Sequence, residues 1–276
     1  MTLASVMVGL GLDQSNDARL ELAGQLAEQF GAAVIGIAAA QFSPLYFADG
    51  AIAERLIEQG EAAIRTRLAE LEAEFRQALR NRACKAVEWR SALDFPSRHA
   101  LREARSADII VTGGHGPALS DAFTVASPKD LVMQAGRPVL LVPDGVRQLD
   151  VHMVLVAWKD APGARRALSD ALPLLRRAKN VVIAKIPEDN GERGAAPAQL
   201  DDVAAFLSRH GIVATTRVPE TRGRGVTAEL DEIAQDLGVG LIVAGAYGHS
   251  RFRELVLGGV TEHLVTQSNR CVLLSH

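Results

Sequence analysis

Leu241-Ile-Val-Ala-Gly245-Ala-Tyr-Gly248-His-Ser-Arg-Phe-Arg-Glu-Leu-Val-Leu-Gly258-Gly259-Val-Thr261 is the stretch from which the rest of the chain can be read. Its first four residues form a short apolar run, the signature of a strand buried on both faces. Gly245 and Gly248 allow a sharp turn and let bare backbone approach a ligand. From Gly259 a helical pattern runs to Gln267, so the backbone N–H groups after Gly258 sit at a helix N-terminus. Such an end favours anions. Strand, glycine loop and helix start together read as a phosphate cradle, or as the turn glycines that any strand-to-helix connection uses.

The stretch occurs twice. At an offset of 132 residues, Gly245 falls on Gly113, Gly248 on Gly116, Gly258 on Ala126 and Gly259 on Ser127. The preceding strands agree, Asp108-Ile-Ile-Val-Thr-Gly113 with Gly240-Leu-Ile-Val-Ala-Gly245, and so do the following ones, Arg137-Pro-Val-Leu-Leu-Val142 with Asn269-Arg-Cys-Val-Leu-Leu274. The starts also match, Val6-Met-Val-Gly-Leu10 with Val154-Leu-Val-Ala-Trp158. Such a repeat decides the domain count. Residues 1–145 form repeat one and 150–276 repeat two, joined after the turn signal Pro143-Asp-Gly145 by a short linker.

The spacing Gly-x2-Gly-x9-Gly over Gly245, Gly248 and Gly258 resembles the nucleotide loop of the universal stress protein family, and the resemblance covers nearly the whole chain. It implies the tandem type: an α/β fold of two doubly wound parallel-sheet repeats with five strands each, adenine nucleotide alpha hydrolase-like and pseudo-two-fold related. It also implies the strand order 3-2-1-4-5, a crevice between strands one and four, and a contact between repeats through the fifth strands, 138–142 and 270–274. One chain then mimics a homodimer, and a further homodimer is open.

Strands alternating with helices independently argue for a parallel α/β architecture. In repeat one, strands are expected at 4–10, 33–38, 85–89, 108–112 and 138–142, with a long helix over 51–81. Arg67 with Glu70 and Glu72 with Arg76 suit pairing along that helix. In repeat two, strands are expected at 152–157, 180–185, 212–218, 239–244 and 270–274, with a loop over 187–197 before a helix over 198–209.

The resemblance implies ATP, with Mg possible beside it, as the cofactor of repeat two. Carried over by position, the binding residues are Gly245, Gly248, Gly258, Gly259, Val260 and Thr261, with His249 and Arg251 in the loop between. Gly259 stands where the family has a hydroxyl residue. Lys159 stands where a carboxylate is expected at the end of strand one, with Asp160 next to it. A lysine cannot accept a hydrogen bond from a ribose hydroxyl; Asp160 can with a one-residue shift, or Lys159 reaches a phosphate. Trp158, at the same strand end, reads as a packing residue, with bordering an adenine as the alternative. Repeat one departs further, since Ala126 replaces the third glycine and Pro128 has no N–H to give. Ser127-Pro-Lys-Asp130 reads as a self-capped helix start. Repeat one is expected not to bind ATP in the family manner.

Net charge is −3, which gives no reason to expect a nucleic-acid partner, and no run of about 18 apolar residues suggests a membrane partner. Cys84 and Cys271 lie in different repeats and read as free thiols of a cytoplasmic protein. No histidine pair has metal-ligand spacing. Neither a Gly-x-Ser-x-Gly elbow nor a Walker loop occurs, so no catalytic residue is assigned. Three functions remain: an adenine-nucleotide-binding stress-response protein, a scaffold or small-molecule carrier of the same fold, and a slow ATP hydrolase.

Overall fold

A computed structural model describes residues 2–42, 50–114, 122–220, 225–246 and 258–276. The chain condenses into two compact units, Leu3–Arg137 and Pro138–His276, the latter taking in Thr2 as well.

The first unit carries β1 (Ser5–Gly9), α1 (Asp17–Phe30), β2 (Ala33–Ala40), α2 (Gly50–Leu79), β3 (Val87–Leu93), α3 (Pro96–Glu103), a 3-10 turn, β4 (Ile109–Gly113) and α4 (Pro128–Gln134). Its strands lie in the order β3-β2-β1-β4, all parallel, with Met7 beside both Ile35 and Ile110. Met7, Leu22, Leu26, Leu71, Phe75 and Ile110 are buried, each worth roughly 1.5–3 kcal/mol over exposure. The expected helix pairs form: Arg67 meets Glu70 at 3.1 Å and Arg76 meets Glu72 at 2.7 Å.

The second unit opens with β5 (Val139–Val142) and continues with β6 (Met153–Ala157), α5 (Pro162–Leu175), β7 (Asn180–Ala184), α6 (Asn190–Arg209), β8 (Ala214–Arg217), α7 (Val226–Asp236), β9 (Leu241–Gly245), α8 (Gly259–Thr266) and β10 (Cys271–Ser275). The order β10-β9-β6-β7-β8 is parallel throughout. Written by repeat position this is 5-4-1-2-3, the order the resemblance implies. β5 pairs antiparallel with β10, Leu140 opposite Leu273, so the two fifth strands meet as expected.

Two local readings differ. The third strand of repeat one runs Val87–Leu93, displaced from 85–89. More importantly, α6 starts at Asn190, inside the stretch read as a loop. Asp189 caps it, its side chain accepting from the Glu192 amide at 2.8 Å, while Glu192 accepts from the Glu188 amide at 3.0 Å. The first bond is an N-cap, and the second reaches back to the amide one residue before the cap. Gly191, Gly194 and Pro197 hid the helix, because none favours a helix interior. Cys271 is buried, which pushes its thiol up to about 12, and Cys84 is half-buried; both are free.

His99 on α3 makes the first unit sensitive to acid. Burial, above all, holds its pKa below the ordinary value; the Arg90 carbonyl and the charges of Glu103 and Asp94 oppose this, and Arg102 adds to it. Arg102 Nη2 lies 2.9 Å from Nδ1, and the Arg90 carbonyl lies 3.3 Å from Nε2. Arg102 donates, so Nδ1 must stay unprotonated and Nε2 carries the hydrogen. A histidine depressed in the folded state contributes stability above its unfolded pKa, about 6.5, and that contribution is lost as pH falls below it. Asp94 and Glu103 are also depressed: burial raises each, but arginine contacts outweigh it, so their contribution goes at lower pH still. We expect the urea midpoint to hold between pH 8 and 7 and to fall as pH drops through about 6.5. His99→Gln, which can accept from Arg102 and donate to Arg90, should flatten that first step.

Candidate functional site

A cavity of about 340 Å³ opens in the second unit at the C-terminal ends of β6, β7 and β9. That is the switch point of this sheet, where ligands of doubly wound folds collect. Its floor is made by bare backbone. A Cβ on Gly245 would lie 2.2 Å from the Ala164 nitrogen and 2.5 Å from the Gly163 carbonyl carbon, so α5 passes directly against the end of β9. Gly163 is reciprocal, since a Cβ there would lie 2.7 Å from the Ala246 oxygen.

Beside this floor stands the start of α8, where Gly258, Gly259, Val260 and Thr261 all line the cavity. The first bond of the helical ladder runs from the Glu262 amide to the Gly258 carbonyl at 2.9 Å. The Gly259 and Val260 amides therefore precede the ladder and belong to the orphan donors of the first turn. A Cβ on Gly259 would meet nothing within 4 Å, so this edge is open.

At the end of β6, Trp158 and Lys159 line the cavity, and Ala161 and Ala164 of the α5 start face them. Lys159 Nζ bonds Glu188 Oε1 at 2.7 Å. Asp160 is not among the lining residues; it pairs with Arg165 at 2.8 Å and borders a neighbouring cleft. The remaining wall comes from Ala184, Lys185, Ile186, Glu188 and Glu192 after β7, and from Val226, Thr227 and Leu230 on α7. Gly248, His249 and Arg251 lie outside the described residues.

Sequence reasoning missed Lys185, Glu188 and Glu192. Lys185 is buried and gives its Nζ to Gln199 Oε1 at 2.7 Å. A lysine directly after the apolar run Val181-Val-Ile-Ala184, and the Asp189-x2-Glu192 pattern, were the available signals.

Among the described residues, the matching place in the first unit is narrow, with a gap of about 20 Å³ among Gly9, Gly11, Arg19, Thr112 and their neighbours. The buried Arg19 donates to the Gly9 carbonyl at 3.1 Å and to the Ser15 carbonyl at 2.6 Å. Asn16 locks the end of β1, its Oδ1 taking the Gly11 amide at 3.1 Å and its Nδ2 giving to the Gly11 carbonyl at 3.0 Å. At α4, Ser127 Oγ accepts from the Asp130 amide at 3.3 Å and Pro128 occupies the first turn, as the sequence indicates.

Among the described residues, no group of three or more His, Cys, Asp or Glu could hold a metal, and no helix is long and apolar enough to cross a membrane.

The geometry defines a two-repeat, doubly wound α/β protein with a cavity at the switch point of its second set of parallel strands. No family model matches the chain. A universal stress protein of Methanocaldococcus jannaschii is 41% identical over 46 residues, which are 17% of this chain and 28% of that relative's length. A universal stress protein structure from Archaeoglobus fulgidus aligns with TM-score 0.72 at 17% identity, covering 98% of this chain and 97% of that one. A putative universal stress protein from Pseudomonas aeruginosa aligns with TM-score 0.62 at 15% identity, over 99% and 93%. The curated relative and these structural neighbours are named as universal stress proteins, one of them putative, and the full-length alignments show that the two-unit fold is shared.

Gly245→Ala is expected to destabilise the protein by roughly 3 kcal/mol, the upper end of overpacking, because its methyl would meet backbone that cannot swing away. Gly259→Ala, with open space around it, should stay within about 1 kcal/mol of the parent. Urea unfolding of both variants measures the difference.

Proposed function

We propose that the chain is a stress-response protein that binds one adenine nucleotide per molecule, in repeat two, spanning 150–276, and does not turn it over at a useful rate. The observation that carries this reading is the cavity itself, floored by Gly245 and rimmed by the first turn of α8. Phosphate oxygens would accept from the Gly259 and Val260 amides, where the helix dipole also favours negative charge. The base and ribose would extend along the ends of β6 and β7, past Trp158 and Lys159. Magnesium, where present, would arrive with the triphosphate, and no described side-chain cluster is offered for it. The described lining residues include no histidine, serine or cysteine, and the lining carboxylates Glu188 and Glu192 are each already hydrogen-bonded, which supports slow turnover. Repeat one, filled by Arg19 and Asn16, would contribute no second site.

One observation favours the carrier reading instead. No carboxylate at the end of β6 lines the cavity, Lys159 is joined to Glu188, and much of the remaining wall is alanine, isoleucine, valine and leucine. A small apolar molecule with one anionic group would also fit such a wall.

Two measurements separate these readings. The purified protein is denatured and its released small molecules are identified by mass spectrometry, and the stripped protein is titrated with ATP. Near one adenine nucleotide per chain is expected. Val260→Pro places proline in the first helical turn, where it is tolerated, and removes one cradle N–H. It should keep the melting temperature within a few degrees and weaken ATP by about tenfold, the value of one charge-assisted hydrogen bond. Full affinity in a folded Val260→Pro protein would show that the α8 amides do not hold phosphate.

A further inference from the structure

β3 ends the strand order of the first unit, with β2 as its neighbour on one side and no described strand on the other. Two bonds fix which way its main chain faces. The Val34 amide donates to the Ala86 carbonyl at 2.9 Å, and the Asp94 amide donates to the Ala40 carbonyl at 3.1 Å. Along a strand the main-chain groups of alternate residues point to the same side. The even-numbered residues of β3 therefore face β2, and the N–H and C=O groups of Val87, Trp89 and Ser91 face outward. Among the described residues, no hydrogen bond reaches these outward groups.

An open edge is a template for a further strand, and proteins blunt it by shortness, proline, a bulge or charge. The edge strand of the second unit, β8, is short, four residues from Ala214 to Arg217. β3 runs seven residues, has neither proline nor glycine, and keeps an unbroken register with β2. Its charges come in both signs. Glu88 and Arg90 flank Trp89, share one face of the strand and bond each other at 2.8 Å. Trp89, on the other face, is held against Phe75 with ring centroids 5.4 Å apart.

We propose that β3 pairs with β3 of a second copy of this chain, antiparallel, about a two-fold axis at Trp89. A two-fold contact sets the same patch of both copies together. Trp89 then faces the partner's Trp89 and Val87 faces the partner's Ser91, each pair exchanging both main-chain bonds. Glu88 comes opposite the partner's Arg90, and Arg90 opposite the partner's Glu88. An axis one residue either way would set Arg90 against the partner's Arg90, or Glu88 against the partner's Glu88. Opposite charges across an antiparallel pair attract and like charges repel, so the sequence selects the register centred on Trp89. Arg90 Nη1 bonds Glu103 at 2.9 Å, which anchors the guanidinium on that face. The proposal does not rest on the nucleotide reading, whose cavity belongs to the second unit.

Sedimentation velocity from micromolar to near-millimolar protein is the test. Wild type should pass from monomer to a closed dimer. Ser91→Pro removes an outward N–H and leaves the β2 ladder intact, since proline is accepted on the open side of an edge strand. It should stay monomeric, with a melting temperature within a few degrees of wild type. Glu88→Arg, at an exposed position, turns two cross-strand attractions into repulsions and should weaken the dimer about tenfold. Val87→Cys combined with Ser91→Cys sets Cα atoms about 5.5 Å apart across the pair, within disulfide reach. On oxidation the double variant should become a covalent dimer, while wild type and each single variant do not. Wild type that stays monomeric, a dimer unchanged in a folded Ser91→Pro protein, or open-ended polymers overturn the proposal. Should Ser91→Pro not fold, a dimer that Glu88→Arg does not weaken, or a double cysteine variant that does not cross-link, overturns it instead.

Discussion

The close passage of α5 against the end of β9 is the constraint on which the second unit depends. Two glycines make it possible, Gly245 at the strand end and Gly163 in the first helical turn, and each lies where the other's backbone leaves no space for a Cβ. The contact extends to the next strand, where Ser275 Oγ bonds Asp170 Oδ2 at 2.8 Å and Arg166 reaches the His276 carbonyl at 2.8 Å. Drawing the start of α5 onto β9 and β10 leaves the space over β6 and β7 open. In the first unit, a Cβ on Gly113 would lie 3.7 Å from the Arg19 guanidinium carbon, so a side chain stands where the second unit has bare backbone. The same position in the same fold thus gives a plug in one repeat and a crevice in the other.

That difference explains why the repeats diverge together at several places. A buried arginine needs acceptors, and the Gly9 and Ser15 carbonyls provide them. Ser127 and Pro128 close the helix start from within. In the second unit Gly258 caps α8 without a side-chain bond, and the first-turn amides stay available. Each choice is small, but all those in one repeat point the same way, as expected when local features serve one arrangement.

Most of this architecture was legible, for physical reasons. Buried parallel strands must be apolar throughout, so Leu241 to Ala244 and Ile109 to Thr112 announced themselves, and the repeat made each reading support the other. The close approach at Gly245 was legible because backbone approach demands glycine. The start of α6 was not, since two glycines and a proline argued against a helix that the Asp189 cap and the Glu192 back-bond to Glu188 begin. That error carried into the site, because it kept Glu188 and Glu192 off the cavity wall. Lys185 was overlooked for a related reason: a lysine at a strand end is normally at the surface, and only the packing of α6 over β7 buries it. Asp160, offered as a ribose acceptor, turns to Arg165 instead.

The electrostatics of the crevice follow from these placements. Its described wall carries Lys159 and Lys185 with Glu188 and Glu192, so no excess of cationic side chains draws a phosphate in. In the proposed nucleotide reading, the anion preference rests on the α8 amides, an effect that is short in range and fixed in direction. Side-chain charges are used instead on the opposite end, where Lys159 and Glu188 neutralise each other and Lys185 stands buried against Gln199. A ligand held this way gains little from charge at a distance and much from how its acceptors meet the α8 amides.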